Sequence, residues 1–188
     1  MISLVRVYRI IPVFVLSAFL IACGGSNSDE YEIVVPATIN PGDEIPTPFG
    51  DVILTITGDI SNTNVGNTVQ FDMNTLEKLG LVSYEVNDPW LLEQVTYTGV
   101  LLSDLLKVVD ASDSMTEVFA SALDGYEIPI PVSEIEDWPV LIATQSNGSH
   151  MSIENSGPTR IIFPYDSHND ITDARNMSVW NLESLDIR

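Results

Sequence analysis

The only thiol of the chain belongs to Cys23, which stands at the end of an apolar stretch near the N-terminus. The stretch begins at Ile10, follows the cations Arg6 and Arg9, and ends in the sequence Leu-Ile-Ala-Cys. A cationic start, a short apolar core and small residues at the end are typical of a secretory signal. The last four residues resemble a bacterial lipobox. We therefore predict that residues 1–22 are a lipoprotein signal peptide and that the thiol of Cys23 is acylated.

Acylation of Cys23 would fix the protein to the periplasmic face of a bacterial membrane. Gly24, rather than an aspartate, follows the cysteine, and this favours the outer membrane. The alternatives are a transmembrane anchor and an ordinary signal with an incidental cysteine. The transmembrane alternative is disfavoured because a spanning helix needs about 20 apolar residues, whereas the segment 10–22 is shorter and contains Pro12.

A second candidate for chemistry is the oxygen-rich segment from Asp166 to Asp173, which contains one imidazole, His168. Carboxylate and amide oxygens suit a hard cation such as calcium. The spacing departs from an EF-hand loop, because Ile171 stands at position six and Met177 at position twelve. We assign no metal to this segment, and both a cation site and a solvated acidic loop stay open.

Arg160 is a third candidate because it lies within an apolar strand pattern, where a buried charge requires a partner. A guanidinium binds carboxylate or phosphate in a bidentate way. The partner of Arg160 is therefore either an acidic ligand or an internal aspartate or glutamate, and the sequence leaves both roles open.

The charge of the chain limits its partners. All 27 acidic residues follow Cys23, whereas two of the seven cations, Arg6 and Arg9, precede it, so the mature chain has a formal charge of −22. Such a surface repels nucleic acid, and we predict no nucleic-acid partner. The 45% hydrophobic content argues against disorder. The length after the signal is that of one ordinary domain.

Residues 23–48 are predicted to be an acidic, proline-containing tether, and residues 49–188 the folded domain. Apolar periodicity and turn signals predict a β-rich α+β domain with short helices. Asp124-Gly125 and Asn147-Gly148 each mark a hairpin turn. The predicted strands are 51–58, 82–86, 94–98, 117–123, 126–132, 140–145, 149–153, 160–163 and 179–187. The predicted helices are 74–80, with Asn74 as cap and Glu77 in a capping box, 100–109 and 133–138.

Five short motifs follow one another along this domain. They are Gly99-Val100-x-Leu102-x-Asp104-Leu105-Leu106, Asp124-Gly125-Tyr126, Asn147-Gly148, Gly157-Pro158-x-Arg160-Ile161-Ile162-x-Pro164 and Val179-Trp180. Together with a first strand at Leu54-x-Ile56-x-Gly58, their order resembles the molybdopterin-binding domain of the sulfite oxidase family over residues 51–188. The resemblance implies a mixed-sheet fold of that type.

The chain departs from this family where the cofactor would be held. The resemblance implies a cysteine that ligates molybdenum before the motif at Gly99, but residues 82–90 contain none. It also implies a histidine where Asn155 stands, and several cations for the pterin pyrophosphate. A hydroxyl does not simply replace a soft thiolate ligand. We therefore expect no cofactor. Molybdopterin would be bound only if the protein were an oxidoreductase with atypical metal ligation.

We predict a non-redox module that binds a small molecule or an envelope protein. The alternative is a molybdopterin-dependent oxidoreductase of the sulfite oxidase type with atypical metal ligation. No catalytic residue is assigned. The resemblance places the candidate ligand-binding residues where the family holds its pterin: Trp90, Asp124, Tyr126, Asn147, Gly157, Arg160, Tyr165 and His168.

Overall fold

The computed structural model describes residues 30–188, which form two β-sheets with short helices between their strands. The predicted signal peptide and Cys23 lie outside the described residues. The strands are β1 (Glu32–Val35), β2 (Leu54–Gly58), β3 (Val69–Phe71), β4 (Leu81–Asp88), β5 (Glu93–Leu101), β6 (Glu117–Ala122), β7 (Glu127–Pro131), β8 (Leu141–Ser146), β9 (Ser149–His150), β10 (Arg160–Ile162) and β11 (Leu182–Ile187). The helices are α1 (Met73–Glu77), α2 (Leu102–Val108), α3 (Val132–Asp137) and α4 (Ile171–Met177), and a 3₁₀ turn spans Ile153–Asn155.

The first sheet is antiparallel, with strand order β1-β4-β5-β8-β10, and β9 pairs with β8. Strand β4 alternates as a half-buried strand does. Val82, Tyr84 and Val86 are buried, whereas Glu85 is exposed. The same alternation directs Asp88, the last residue of the strand, into the interior. The carboxylate of Asp88 is therefore buried on the same face of β4 as its apolar side chains.

The second sheet is mixed, with strand order β3-β2-β11-β6-β7. The C-terminal strand β11 lies at its centre, parallel to β2 and antiparallel to β6. Leu182, Leu185 and Ile187 of β11 are buried. Buried residues from both sheets belong to one hydrophobic cluster. The core is therefore complete only when β2 and β11, the first and last strands of this sheet along the chain, have paired.

Part of the segment predicted as a tether packs against the domain. Strand β1 pairs with β4, with Ile33 opposite Val82. Ile39 and Ile45 are buried, with 6% and 2% of their surface exposed. Burial of apolar surface contributes about 25 cal/mol per Å², which offsets the ordering of this proline-containing stretch. The folded unit thus includes residues that precede position 49.

Both predicted hairpins are confirmed: Asp124-Gly125 joins β6 to β7, and Asn147-Gly148 joins β8 to β9. The predicted cap of the first helix is wrong. The cap is Asp72, whose carboxylate accepts the Thr75 amide, and Thr75 rather than Glu77 completes the capping box.

Helix α4 and strand β3 are absent from the sequence prediction. Asp170 caps α4 by accepting the amides of Thr172 and Asp173. The helix is short and mainly polar, and it follows Ser and Asp residues, so that this stretch resembles a loop in sequence. Between residues 30 and 188, no helix combines the length and apolar character needed to cross a bilayer.

Candidate functional site

A buried ion pair joins the end of β4 to the start of β10, with β5 and β8 between these strands in the sheet. Asp88 and Arg160 expose 1% and 4% of their surface, and Nη2 of Arg160 donates to Oδ2 of Asp88 at 3.1 Å. Tyr97 links the two charges, because its hydroxyl donates to the same carboxylate oxygen at 2.7 Å and accepts from Nη1 of Arg160 at 2.9 Å. Of the two roles left open for Arg160, the structure therefore shows the internal pairing.

The other oxygen of Asp88 shapes the loop between β4 and β5. Oδ1 accepts the backbone amides of Trp90 and Leu91, each at 2.9 Å. All four hydrogen bonds to this carboxylate come from groups that favour its ionised form. The loop therefore begins in a fixed turn, which places Trp90 beside Arg160.

Three aromatic rings surround the guanidinium of Arg160. Its central carbon lies 5.1 Å from the ring centroid of Trp90, 5.4 Å from Tyr97 and 4.8 Å from Trp180. Trp90 and Trp180 meet edge-on, with centroids 5.4 Å apart. Cation–π contacts contribute about 2 kcal/mol or more where they are desolvated. Among the described side chains, Nε of Arg160 is a buried polar atom without a hydrogen-bond partner.

The electrostatics of this cluster maintain its charges. Burial by itself would raise the pKa of Asp88. Hydrogen bonds from Leu91, Tyr97 and Trp90, together with the charge of Arg160, outweigh burial and lower that pKa. Burial raises the pKa of Tyr97, and the neighbouring Asp88 carboxylate adds to the rise although Arg160 opposes it. The cluster is therefore an ionised pair bridged by a neutral phenol.

Outside the two tryptophans lies an open groove of about 510 Å³, which is within the range of small-molecule sites. Trp90 lines it from the β4–β5 loop and Trp180 from the segment before β11, and the β6–β7 turn and α4 supply the rest of its wall. The residues of its wall that bear on the argument are Trp90, Asp124, Tyr126, Arg175, Asn176 and Trp180. We call this pocket the tryptophan groove.

A hydrogen bond joins the β6–β7 turn to α4 in the wall of the tryptophan groove. The hydroxyl of Tyr126 donates to the backbone carbonyl of Asn176 at 2.8 Å. Oδ1 of Asp124 accepts the amide of Tyr126 at 3.0 Å and so stabilises the turn that carries the tyrosine. The β6–β7 turn is therefore tied to α4, although both lie at the surface.

Arg175 provides the exposed cation of the groove. Its guanidinium lies 5.4 Å from the ring centroid of Trp90. Within residues 30–188, Arg175 forms no ion pair, whereas Lys107, Arg160 and Arg188 pair with an aspartate each. Its charge is consequently available to a ligand.

The predicted site residues are divided between the cluster, the groove and more distant places. Trp90 lines the groove and contacts Arg160, and Asp124 and Tyr126 line the groove. Tyr165 is buried beside Trp90, with ring centroids 5.8 Å apart. Burial raises the pKa of Tyr165 to about 12, and its hydroxyl pairs with Ser178, so its role is structural.

Asn147, Gly157 and His168 lie outside both the Arg160 cluster and the tryptophan groove. Asn147 lies in the β8–β9 turn, where its side-chain oxygen accepts the amide of Thr96. A side chain at Gly157 would meet Met151, since an added Cβ would lie 2.5 Å from Met151 Cβ. These two positions therefore serve the packing and the turn rather than the groove.

His168 connects α3 to the segment before α4. Its Nδ1 accepts the amide of Asp170 at 3.0 Å, which leaves Nε2 as the nitrogen that donates to Glu134, at 2.8 Å. The imidazole also packs on Trp138, with centroids 4.7 Å apart. Buried and bonded at both nitrogens, His168 is not oriented toward the groove.

The oxygen-rich segment is engaged by the protein itself. Asp166 accepts the backbone and side-chain amides of Asn87 at 2.8 and 2.7 Å, and Asp170 caps α4. No group of three or more potential metal ligands occurs within the described part of the chain. The cation alternative for this segment thus gains no support from the geometry.

Sequence reasoning assigned no individual role to four residues of the site: Asp88, Tyr97, Arg175 and Trp180. A charged residue at an inward position of an alternating strand pattern was a usable signal for Asp88. Trp180 belonged to a quoted motif but was not assigned to the site. No local pattern distinguishes Tyr97 or Arg175, because their roles come from contacts with residues that are distant in sequence.

Comparisons with known proteins agree with the fold and the order of these elements. The chain has the fold of a molybdopterin-binding domain. Residues 60–167 match the family described as the oxidoreductase molybdopterin binding domain. This match spans more than half of the chain, and the chain belongs to that family.

Solved structures support the same fold. The sulfane dehydrogenase SoxCD from Paracoccus pantotrophus is similar with a TM-score of 0.55 and 18% identity, over 71% of this chain and 37% of that chain. This chain therefore spans well under half of the SoxCD chain that it matches, and at this identity the likeness concerns fold alone. No curated protein matches the sequence.

The family implies molybdopterin as a cofactor, but the residues of this chain do not fit thiolate-bound molybdenum. The stretch where the resemblance implies the thiolate forms β4 and the following turn, and it contains no cysteine. The guanidinium of Arg160 is already committed to Asp88 and Tyr97 and is enclosed by tryptophans. A soft metal centre would lack its protein ligand, and the pterin would lack one of its expected cations.

Proposed function

We propose that this protein is a lipid-anchored module on the periplasmic face of a bacterial membrane, preferentially the outer membrane. It uses the molybdopterin-binding fold to bind a small organic ligand without redox chemistry. The observation that carries the proposal is the contrast between the enclosed Arg160 cluster and the open tryptophan groove beside it. A groove of this size that combines aromatic surface with polar and charged side chains suits a small organic ligand.

The anchoring part of the proposal rests on Cys23 and the apolar stretch before it. Two or more acyl chains are needed for stable attachment. Radiolabelled palmitate should label the wild-type chain, and Cys23→Ser should abolish the label and release the chain or leave the signal uncut. An unlabelled wild type would show the lipid anchor to be wrong.

The non-redox part is tested by metal content. Protein purified from a host that makes molybdopterin should contain less than about a tenth of a molybdenum atom per chain, because the soft ligand is absent. A cysteine-ligated molybdenum enzyme produced in the same host is the matched control. Near-stoichiometric molybdenum in this protein, with pterin fluorescence after denaturation, would overturn the proposal.

The alternative function is a molybdopterin-dependent oxidoreductase with atypical metal ligation. Membership of the family favours it, and so does the unused Nε of Arg160. Near-stoichiometric molybdenum in the same measurement would establish this alternative. An envelope protein is a further partner class, and a docked protein would require the groove to be part of a larger interface.

A further inference from the structure

The tryptophan groove contains two opposite charges that do not pair with each other. Asp124 and Arg175 both line it, and neither forms an ion pair within the described residues. We infer that the groove binds an aromatic zwitterion, a ligand with a flat ring, a carboxylate and an ammonium group, as in a free aromatic amino acid. This inference rests on the proposed ligand-binding function and specifies the ligand class for that site.

Arg175 is placed to receive the carboxylate. Its guanidinium is positioned by the indole of Trp90 at 5.4 Å, and a planar guanidinium offers two parallel N–H donors to a carboxylate. The position on α4 is fixed further by the bond from Tyr126 to the carbonyl of Asn176, the next residue. The cation is thus oriented without being neutralised.

Asp124 is placed to receive the ammonium group. One of its oxygens, Oδ1, accepts the amide of Tyr126. Its side chain otherwise accepts no bond from the described residues, and Asp124 is exposed. A carboxylate oxygen has further lone pairs for an N–H donor. The hydrogen bond from the backbone orients the carboxylate while its negative charge stays available.

The ring of the ligand has aromatic surface to contact. Trp180 and Tyr126 both line the groove, and 38% and 45% of their surfaces are exposed. Aromatic rings attract one another in edge-on or offset arrangements in addition to the effect of the area they bury. The groove volume of about 510 Å³ accommodates one amino acid with a single or fused ring.

The overall charge of the protein also favours a ligand without net charge. With 27 acidic residues against seven cations, the chain repels anions at long range and attracts cations to its whole surface. A zwitterion is subject to neither effect to first order. Its selection depends on the local arrangement of one cation and one anion, which the tryptophan groove provides.

The experiment compares three ligands that differ by one charged group. Detergent-solubilised full-length protein is titrated calorimetrically with L-phenylalanine, with 3-phenylpropionate, which lacks the ammonium, and with 2-phenylethylamine, which lacks the carboxylate. We expect phenylalanine to bind at least about tenfold more tightly than either analogue, because each analogue leaves one charged hydrogen bond unmade.

Two variants assign each charge to its residue. Arg175→Gln should bind phenylalanine and 2-phenylethylamine equally, since the carboxylate has lost its partner. Asp124→Asn should bind phenylalanine and 3-phenylpropionate equally, and it keeps the oxygen that accepts the Tyr126 amide. Lys78→Gln is the matched control. Lys78 also forms no ion pair among the described residues but lies away from the groove, so this variant should behave as the wild type.

Equal binding of the three compounds to the wild type would overturn the zwitterion inference and leave the groove as a site for aromatic ligands. Absence of binding by all three at millimolar concentration would also overturn it. The molybdenum measurement decides the non-redox proposal independently of either result. Loss of discrimination in Lys78→Gln would contradict the assignment to Arg175.

Discussion

Two arginines contact the same tryptophan and serve different ends. The guanidinium groups of Arg160 and Arg175 lie 5.1 and 5.4 Å from the ring centroid of Trp90. Arg160 is buried and bonded to Asp88 and Tyr97, whereas Arg175 is exposed and forms no ion pair among the described residues. An arginine beside Trp90 thus stabilises the fold at position 160, whereas at position 175 it is available to bind a ligand.

This difference shows what determines the role of a charge in this fold. A buried guanidinium must find a carboxylate, because an uncompensated charge in the interior is costly. Arg160 therefore has little freedom to serve a ligand. Arg175 remains hydrated, and the energy of binding a ligand carboxylate need not be spent on breaking an internal pair.

The largest expected effect comes from removing Asp88. Asp88→Ala leaves Arg160 buried without its carboxylate and also removes the acceptor of the Trp90 and Leu91 amides. We expect a loss of about 3–5 kcal/mol in the free energy of unfolding, measured by urea denaturation. Asp124→Asn, in the open groove, should change it by about 0.5 kcal/mol or less.

A double substitution separates charge from packing in that result. Asp88→Leu combined with Arg160→Met replaces the ion pair by apolar groups, and such replacements are often neutral or stabilising. The double variant should therefore be more stable than Asp88→Ala. If it is equally unstable, the hydrogen bonds to the loop amides, rather than the buried charge, account for the loss.

The second prediction compares Tyr97, in the buried cluster, with Tyr126, in the tryptophan groove. Tyr97→Phe removes the hydroxyl between Asp88 and Arg160 and leaves Nη1 of a buried arginine without an acceptor. We expect a loss of about 1–3 kcal/mol. Tyr126→Phe removes an exposed hydrogen bond to Asn176 and should cost about 1 kcal/mol or less. Equal losses in the two variants would contradict the distinction between a closed cluster and an open groove.

The extent to which the sequence predicts this molecule depends on the range of the interactions. Both hairpin turns are predicted correctly because Asp-Gly and Asn-Gly determine a turn locally. The cap of α1 is predicted wrongly because Asp72 also accepts the amides of Phe49 and Gly50, more than twenty residues away. Those bonds select Asp72 over Asn74, and nothing near the helix reveals them.

The site follows the same rule. Trp90 and the turn residues Asp124 and Tyr126 are predicted from the family resemblance, and all three lie in loops. The partner of Arg160 is not predicted, because Asp88 lies 72 residues away and meets it only when β4 and β10 are both placed. A buried ion pair is a property of the assembled sheet, whereas a turn is a property of a few residues.

The third prediction uses pH to test the buried carboxylate of Asp88. The pKa of Asp88 is lowered in the folded state, since its hydrogen bonds and Arg160 outweigh the opposing effect of burial. Its contribution to stability is therefore present above its ordinary pKa of 3.8 and is lost as the pH falls toward the lower folded value. One such carboxyl adds up to about 1.4 kcal/mol per pH unit to the dependence below pH 4. Asp88→Asn should flatten the acid limb of the stability curve, measured by urea denaturation at a series of pH values.

The smallest expected effect on stability is that of Arg175. Arg175→Gln removes one exposed contact with Trp90, and exposed cation–π contacts are worth about 0.5–1 kcal/mol. The free energy of unfolding, measured by urea denaturation with tryptophan fluorescence, should therefore change by less than about 1 kcal/mol. Arg160→Gln leaves Asp88 buried without a cation and should be destabilised several times more. A loss above about 2 kcal/mol in Arg175→Gln would mean that both arginines are structural, because the exposed one would then support Trp90 as strongly as the buried pair does. A small loss would leave the charge of Arg175 without a structural reason within the described residues, and recognition of a ligand is the role that the groove geometry supports.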